Sequence, residues 1–366
     1  MSLLGPNDLK QFALPAAWDA AYLTKLALAE GTTYEELLTD ITSALSMQNA
    51  ALMNDPLLGS LCSVTTDASM EYRVGVSNGF EDHTEYGRPD AKRAGTTGTM
   101  IPLYEKDRGL EFTWDFLKKA RRVQIDANIG SAMQDLTNLY GKMALERLFK
   151  STYTTVGSSG KAVPVADGGT ADAAYVPWND PARAAAFAYT HTHLLRQNGI
   201  TQATLETAIA HLWEHGYDAP FTLLISQTDT ASWANTTNVT GYVKKANTLI
   251  RYGTQTDLAT VDQQYIAAIE TSAYGDVQVI ASARIPTNYW AVYKSYGMRD
   301  PRNPLVLRVN PKYGIGAVML AGDHIRQFPF ENAILYAELG FGVADRVGAA
   351  VVYNHDDNAF VDPVIL

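Results

Sequence analysis

At 366 residues, 46% of them hydrophobic and 19% charged, the chain has the length for about two domains and the balance of a folded protein; disorder is excluded. A net charge of -10 repels phosphate and excludes a general electrostatic footprint for tight nucleic-acid binding. The lone cysteine, Cys62, excludes an intrachain disulfide, and no apolar run is long enough to span a bilayer, so stability must come from packing or association.

Over the first residues, Asp8, Pro15, Asp19 and Lys25 interrupt what would otherwise be a secretion signal, so a soluble protein of a reducing, cytosolic compartment is expected. Pro15 suits a first helical position, and Trp18, Ala21, Tyr22, Lys25 and Leu26 keep helical spacing until Gly31. A second helix is predicted from Thr33, with Glu36 three residues on, through Leu37, Ile41, Leu45 and Leu52 to Asp55-Pro56. Two short helices with apolar stripes make an arm too small to bury them, so they need something to lie against.

Alternation over Ser69 to Val76 predicts a strand, and Thr97 to Leu103 a return strand with Pro102 at a sheet edge. Between them lies a long hairpin tip with almost no aliphatic content, carrying Glu81, Asp82, His83, Glu85, Arg88, Asp90, Lys92 and Arg93 among Gly79, Gly87 and Gly95. A tip of this kind is either solvated or laid on a neighbouring subunit, where alternating charges set register more than affinity.

From Thr113 the spacing of Phe116, Ala120, Val123, Ile129, Met133, Leu136, Tyr140, Met143 and Phe149 predicts one long helix, weakened or bent at Gly130 and Gly141. Its early basic cluster, Lys118, Lys119, Arg121 and Arg122, reads as a solvated face. A glycine-rich stretch with Gly157, Gly160, Gly168 and Gly169 reads as a linker or mobile loop. Leu205, Ile209, Leu212 and Trp213 then form a helix ended by Gly216. Strands are predicted at Phe221 to Ile225, Val277 to Ala281, Tyr289 to Tyr293, Leu305 to Val309, Ile315 to Leu320 and Ile334 to Tyr353.

That order of elements resembles the Hong Kong 97-like fold of tailed-bacteriophage major capsid proteins, an α+β class. The run from Phe80-Glu-Asp-His-Thr-Glu through Arg88, Asp90 and Ile101-Pro-Leu to Leu110-Glu-Phe-Thr-Trp looks like the extended loop leading into the spine helix. The ending Glu338-Leu-Gly-Phe-Gly-Val-Ala-Asp-Arg-Val-Gly-Ala-Ala-Val-Val is similar to the carboxyl strands that return to the peripheral domain.

The resemblance implies a helical arm at 1–63 and an extended loop at 64–112. The spine helix, about 113–153, and the start of the peripheral domain would occupy 113–194, an axial domain core 195–275, and returning strands of both domains 276–366. Glu81, Asp82, Glu85, Arg88, Asp90, Lys92 and Arg93 become intersubunit contacts. The implied function is an icosahedral shell of hexamers and pentamers enclosing double-stranded DNA without sequence-specific binding, assembled in the host bacterial cytoplasm. The chain would have no catalytic residue, no cofactor, no metal and no membrane contact. Portal, scaffolding protein, maturation protease and decoration protein are the implied partners. Many members of the family begin with a long scaffolding segment, whereas helix-forming sequence starts here within about fifteen residues, so a separate protein supplies scaffolding or none is needed.

Rival patterns are short. His211-Leu-Trp-Glu214-His215 matches the H-x-x-E-H of inverted zinc peptidases, with two histidines on one helical face and Glu214 to activate water. A third ligand would be required downstream, where Glu270 is available but nothing marks it. Against it, a histidine at a helix end before Gly216 is favoured by the dipole with no metal. His191-Thr-His193 could bind metal from a strand, but a hydrogen-bonded pair is the ordinary reading. Ser158-Ser-Gly-Lys161 fits S-x-x-K without companion motifs, and Gly340-Phe-Gly342 lacks the third glycine of a dinucleotide fingerprint. An encapsulin-type nanocompartment shell and a tail subunit are the remaining alternatives.

Overall fold

The computed structural model describes residues 34–74, 95–110, 119, 121–156, 160–168, 191–244, 265–320 and 333–365. The helix expected near Pro15, the tip of the charged hairpin and the stretch from Thr113 to Lys118 lie outside them.

Helix α1 (Tyr34–Met53) forms where the second arm helix is predicted and buries Ile41, Leu45, Asn49 and Leu52 along one face. Pro56 then opens the one-turn-and-a-half α2 (Pro56–Leu61), in the position where its missing N–H costs nothing. Strands β1 (Cys62–Thr65), β2 (Ser69–Val74), β3 (Gly95–Met100) and β4 (Tyr104–Leu110) follow. The long helix α3 spans Arg122–Phe149. Its buried stripe runs Ile125, Ile129, Met133, Leu136, Tyr140, Ala144 and Leu148. Val123, expected on that stripe, is 73% exposed, because two residues before Ile125 lie on nearly the opposite side of a helix.

Gly160 belongs to a short hairpin of β5 (Thr154–Val156) and β6 (Gly160–Ala162), which corrects the linker reading there. Then come β7 (Leu194–Gln197), α4 (Gln202–Trp213), β8 (Phe221–Ser226), a single 3₁₀ turn, α5 (Thr230–Trp233), β9 (Tyr242–Lys244), β10 (Ala267–Thr271) and β11 (Gly275–Ser282). The chain continues through β12 (Tyr289–Tyr293), β13 (Leu305–Val309), β14 (Val318–Leu320), β15 (Ala333–Val343) and β16 (Ala349–Asn354). The long apolar run predicted from Ile334 to Tyr353 is thus two strands, divided at Asp345, which accepts the Val347 N–H in a turn.

Contacts divide the chain into two discontinuous units, and α3 and β15 each run from one into the other. The first contains α1, β4, α3 to Gly141, β14 and β15 to Gly340. In it β15 pairs antiparallel with both β4 and β14, in registers Ala333 with Leu110 and Val318 with Tyr336. Helix α1 lies against α3: Gln48 bonds Thr137, and Arg122 pairs with Asp40 and Asp126 at 2.8 Å each. The second arm helix therefore finds the partner for its apolar face within its own chain.

The second unit is built on a seven-stranded sheet of order β7-β16-β12-β8-β11-β10-β9, in which β8/β11 and β7/β16 are parallel and the other pairs antiparallel. Its middle strand β8 is buried at all six positions, which is why it reads as an unbroken apolar run. Leu205, Ala208, Ile209 and Leu212 of α4 pack with Phe221, Leu223, Ile225, Val279, Trp290 and Val352 into one core. Trp233 meets Trp290 edge-on at 5.1 Å. Separately, β1 pairs parallel with β13.

Candidate functional site

Strands β2 and β3 form the stem of the predicted hairpin, antiparallel from Ser69 opposite Met100 to Val74 opposite Gly95. Its base is rooted in the second unit: the Ile101 N–H donates to Ala68 O at 2.9 Å, and Arg308 donates to Ile101 O at 2.8 Å. Met70 packs on Ile101, Val306 and Ala344 while Glu71 is exposed, as a period of two requires. In sequence the segment 75–94 lies between these two strands. Glu81, Asp82, Glu85, Arg88, Asp90, Lys92 and Arg93 all fall in it, outside the described residues.

The other constellation joins the two histidine patterns that the sequence offers separately. His191 and His193 stand immediately before β7, and His211 and His215 lie four residues apart at the end of α4. Helix α4 is fixed at its start by a capping box between Thr201 and Thr204, and stops at Gly216, whose φ of +88 is the left-handed conformation that glycine adopts freely. His193 is held at three points. Its N–H donates to Ala166 O at 2.7 Å, its carbonyl accepts the Val351 N–H at 2.8 Å, and its Nδ1 lies 3.1 Å from Ala349 O.

With both pairs so held, the Nε2 atoms of His191 and His215 each stand 3.1 Å from Nε2 of His193. Ligating atoms of His191, His193 and His211 lie within 4.8 Å of one another. His193 and His215 are buried, and His191 and His211 partly so. Burial, then the neighbouring imidazoles, holds His193 well below the ordinary histidine range; burial and His191 push His211 down to about 4. Both rings are neutral at pH 7 and present lone pairs. Glu214 Oε2 reaches to 3.9 Å from His191 Nε2.

The peptidase assignment changes on this geometry. The companions of His211 and His215 come from upstream, His191 and His193, while Glu270 is an exposed residue of β10. The signal available in sequence was the presence of two short histidine pairs; their meeting depends on the antiparallel and parallel order of β7, β16 and β12, which neither pair encodes.

Other sequence patterns resolve simply. Gly340 and Gly342 lie inside β15, and a side chain at Gly342 would press on Ile101 at 3.1 Å, so close packing explains this glycine. Ser158 lies outside the described residues. In the basic cluster, Lys119 and Arg121 are exposed, and Arg122 is offset by the two aspartates named above. Among the described residues no helix is long and apolar enough to cross a membrane.

No family model matches the chain, and no curated protein matches it. Among solved structures, a chain from Mycobacterium phage Patience is 21% identical, with 93% of each chain covered and a TM-score of 0.63. The capsid of Ralstonia phage GP4 is 10% identical over 81% of this chain and 88% of that one, with a TM-score of 0.44. An encapsulin complex from Synechococcus elongatus is 13% identical over 82% and 88%, with a TM-score of 0.42. The chain has an α+β fold shared, over nearly its whole length, with the phage Patience chain.

Proposed function

We propose that the chain is the major capsid protein of a tailed bacteriophage, assembling as hexamers and pentamers into an icosahedral shell around double-stranded DNA. One observation carries the reading: a fold followed over 93% of both chains with a phage protein, in a sequence whose hairpin and carboxyl strands resemble the Hong Kong 97-like capsid family.

On this reading β2 and β3 are the stem of the extended loop of 64–112, α3 is the spine of 113–153, and α4, β8, β9 and β10 belong to the axial domain core of 195–275, whose sheet is completed by β11, β12 and β16 of the returning strands. The arm of 1–63 and the returning strands of 276–366 complete the subunit. The charged tip, with Glu81, Asp82, Glu85, Arg88, Asp90, Lys92 and Arg93, lies on a neighbouring copy. Apolar side chains on the outer surface of the first unit support contacts of this kind: Met47 is 74% exposed, Met53 56% and Val123 73%. The shell has a confining, non-catalytic role, and its acidic subunits hold DNA without sequence-specific contacts. Portal, maturation protease and decoration protein, and a scaffolding protein where one is used, are the partners this reading implies, with assembly in the host cytoplasm.

Electron microscopy of the purified full chain tests the reading. Closed polyhedra are expected; tubes or stacked rings would overturn it in favour of a tail subunit. Closed shells that hold a protein cargo in place of DNA when isolated from their native source would overturn it in favour of an encapsulin.

A further inference from the structure

We propose that His191, His193, His211 and His215 bind one divalent transition-metal ion, zinc by preference, in a closed tetrahedral site that staples the start of β7 to the end of α4. The site lies wholly within the second unit and does not depend on the shell reading.

The first argument is the count of lone pairs. His193 Nδ1 faces a backbone carbonyl, Ala349 O, which can only accept, so Nδ1 carries the ring proton. Nε2 of His193 is then an acceptor with one in-plane lone pair. Two other imidazole nitrogens, from His191 and His215, stand at 3.1 Å from it. One lone pair cannot accept well from both, but it can point, together with theirs, at a shared cation. The Nδ1 bond to a backbone carbonyl is also the outer support that fixes the tautomer of metal-binding histidines. Among the described residues, His211 adds a buried Nδ1 that has no hydrogen-bond partner.

The second argument is size. With metal–nitrogen distances of about 2.0–2.1 Å, the edges of a tetrahedron of imidazole nitrogens are about 3.3 Å and ring centres stand about 5 Å apart. The observed Nε2 separations from His193 are 3.1 Å. Ring centroids lie 5.0 Å apart for His191 and His193, 5.2 Å for His191 and His211, 5.4 Å for His191 and His215, 5.5 Å for His193 and His211, and 5.1 Å for His193 and His215. Imidazole nitrogens suit zinc, copper, nickel and iron and do not suit magnesium or calcium. Zinc has no geometric demand beyond the tetrahedron, and Glu214 offsets part of its charge from beside His191.

On this proposal His215, with Nε2 3.1 Å from that of His193, takes the fourth position beside the three histidines whose ligating atoms lie within 4.8 Å of one another, and leaves none for an activated water. The site is therefore structural, and Glu214 does not act as the base of a peptidase. Its effect is to join two segments that are otherwise held by the sheet and by the capping box at the opposite end of α4.

The test is metal content by plasma mass spectrometry on the full chain, dialysed against a weak chelator after exposure to zinc. About one zinc per subunit is expected for the unaltered protein. His191→Ala, at a partly exposed position, should fold and hold on the order of tenfold less. Glu270→Gln, at an exposed position of β10 outside the cluster, should retain the metal. Added zinc should raise the thermal midpoint of the unaltered protein and leave that of His191→Ala in place, and cobalt(II) in the metal-free chain should give the visible bands of tetrahedral nitrogen coordination. Zinc-free unaltered protein with no response to added zinc, octahedral cobalt, or equal loss from Glu270→Gln would each overturn the proposal. The measurement reads the same in dissociated and assembled subunits.

Discussion

Asn49 is a polar side chain set among Ile41, Leu45 and Leu52 on the inner face of α1. Its amide donates to Ala317 O at 2.9 Å and accepts from Ala317 N–H at 3.0 Å, doing for that segment what a paired strand would do. Tyr140 of α3 serves the preceding residue in the same way, donating to Gly316 O at 3.2 Å and accepting from Gly316 N–H at 2.8 Å. Gly316 has a φ of +107, and a side chain there would collide with Asn49, so only glycine fits beneath it. Replacing Asn49 with leucine leaves a buried N–H and C=O without partners and should cost about 1–3 kcal/mol, read as a lower denaturation midpoint with the secondary structure kept. Nothing in the helical spacing of α1 marked Asn49, because the sequence does not show that a backbone segment some 270 residues away lies over it. The four histidines were visible as two pairs, and only the fold made them one group.

Elements whose pattern matches one burial state were the legible ones. β12 and β13 fall at Tyr289–Tyr293 and Leu305–Val309 as their apolar runs predict, since strands buried on both faces carry a continuous signal. β4, Tyr-Glu-Lys-Asp-Arg-Gly-Leu, was not legible. It pairs through its backbone along β15, so its side chains were free to be charged, and Arg108 reaches α3 to donate to Ser131 O at 3.2 Å and to pair with Asp135. Such a strand declares itself in tertiary pairing and not in hydrophobic alternation. Helix α3 tolerates Gly130 on its exposed side, where an added Cβ meets nothing within 4 Å. Gly130→Ala should therefore stabilise the subunit by about 0.5–1 kcal/mol through the helical preference alone, measured as a higher denaturation midpoint. A midpoint that falls would mean that this face is not open.

At the scale of the molecule, the sequence suggests a chain incomplete by itself, and the structure divides that expectation. The apolar face of α1, with Ile41, Leu45 and Leu52, is buried within its own chain, so this helix does not wait for a neighbour. Met47, Met53 and Val123 remain at the surface, and the stem of β2 and β3 is rooted by Met70 and Arg308 at its base. If the charged tip sets register between copies, Arg88→Glu with Arg93→Glu should cut the yield of assembled particles severalfold while far-ultraviolet circular dichroism and the denaturation midpoint of the subunit stay unchanged. Single exposed ion pairs contribute about 0 to 1 kcal/mol, so the effect depends on their number in a closed lattice. Unaltered particle yield in that double variant would remove the tip from the contact.

Self-association is read most directly by sedimentation velocity of the purified full chain over a wide concentration range. If the chain builds a shell, discrete capsomer-sized and shell-sized boundaries grow at the expense of the single subunit as concentration rises. A lone subunit boundary that persists unchanged to the highest concentration would contradict it.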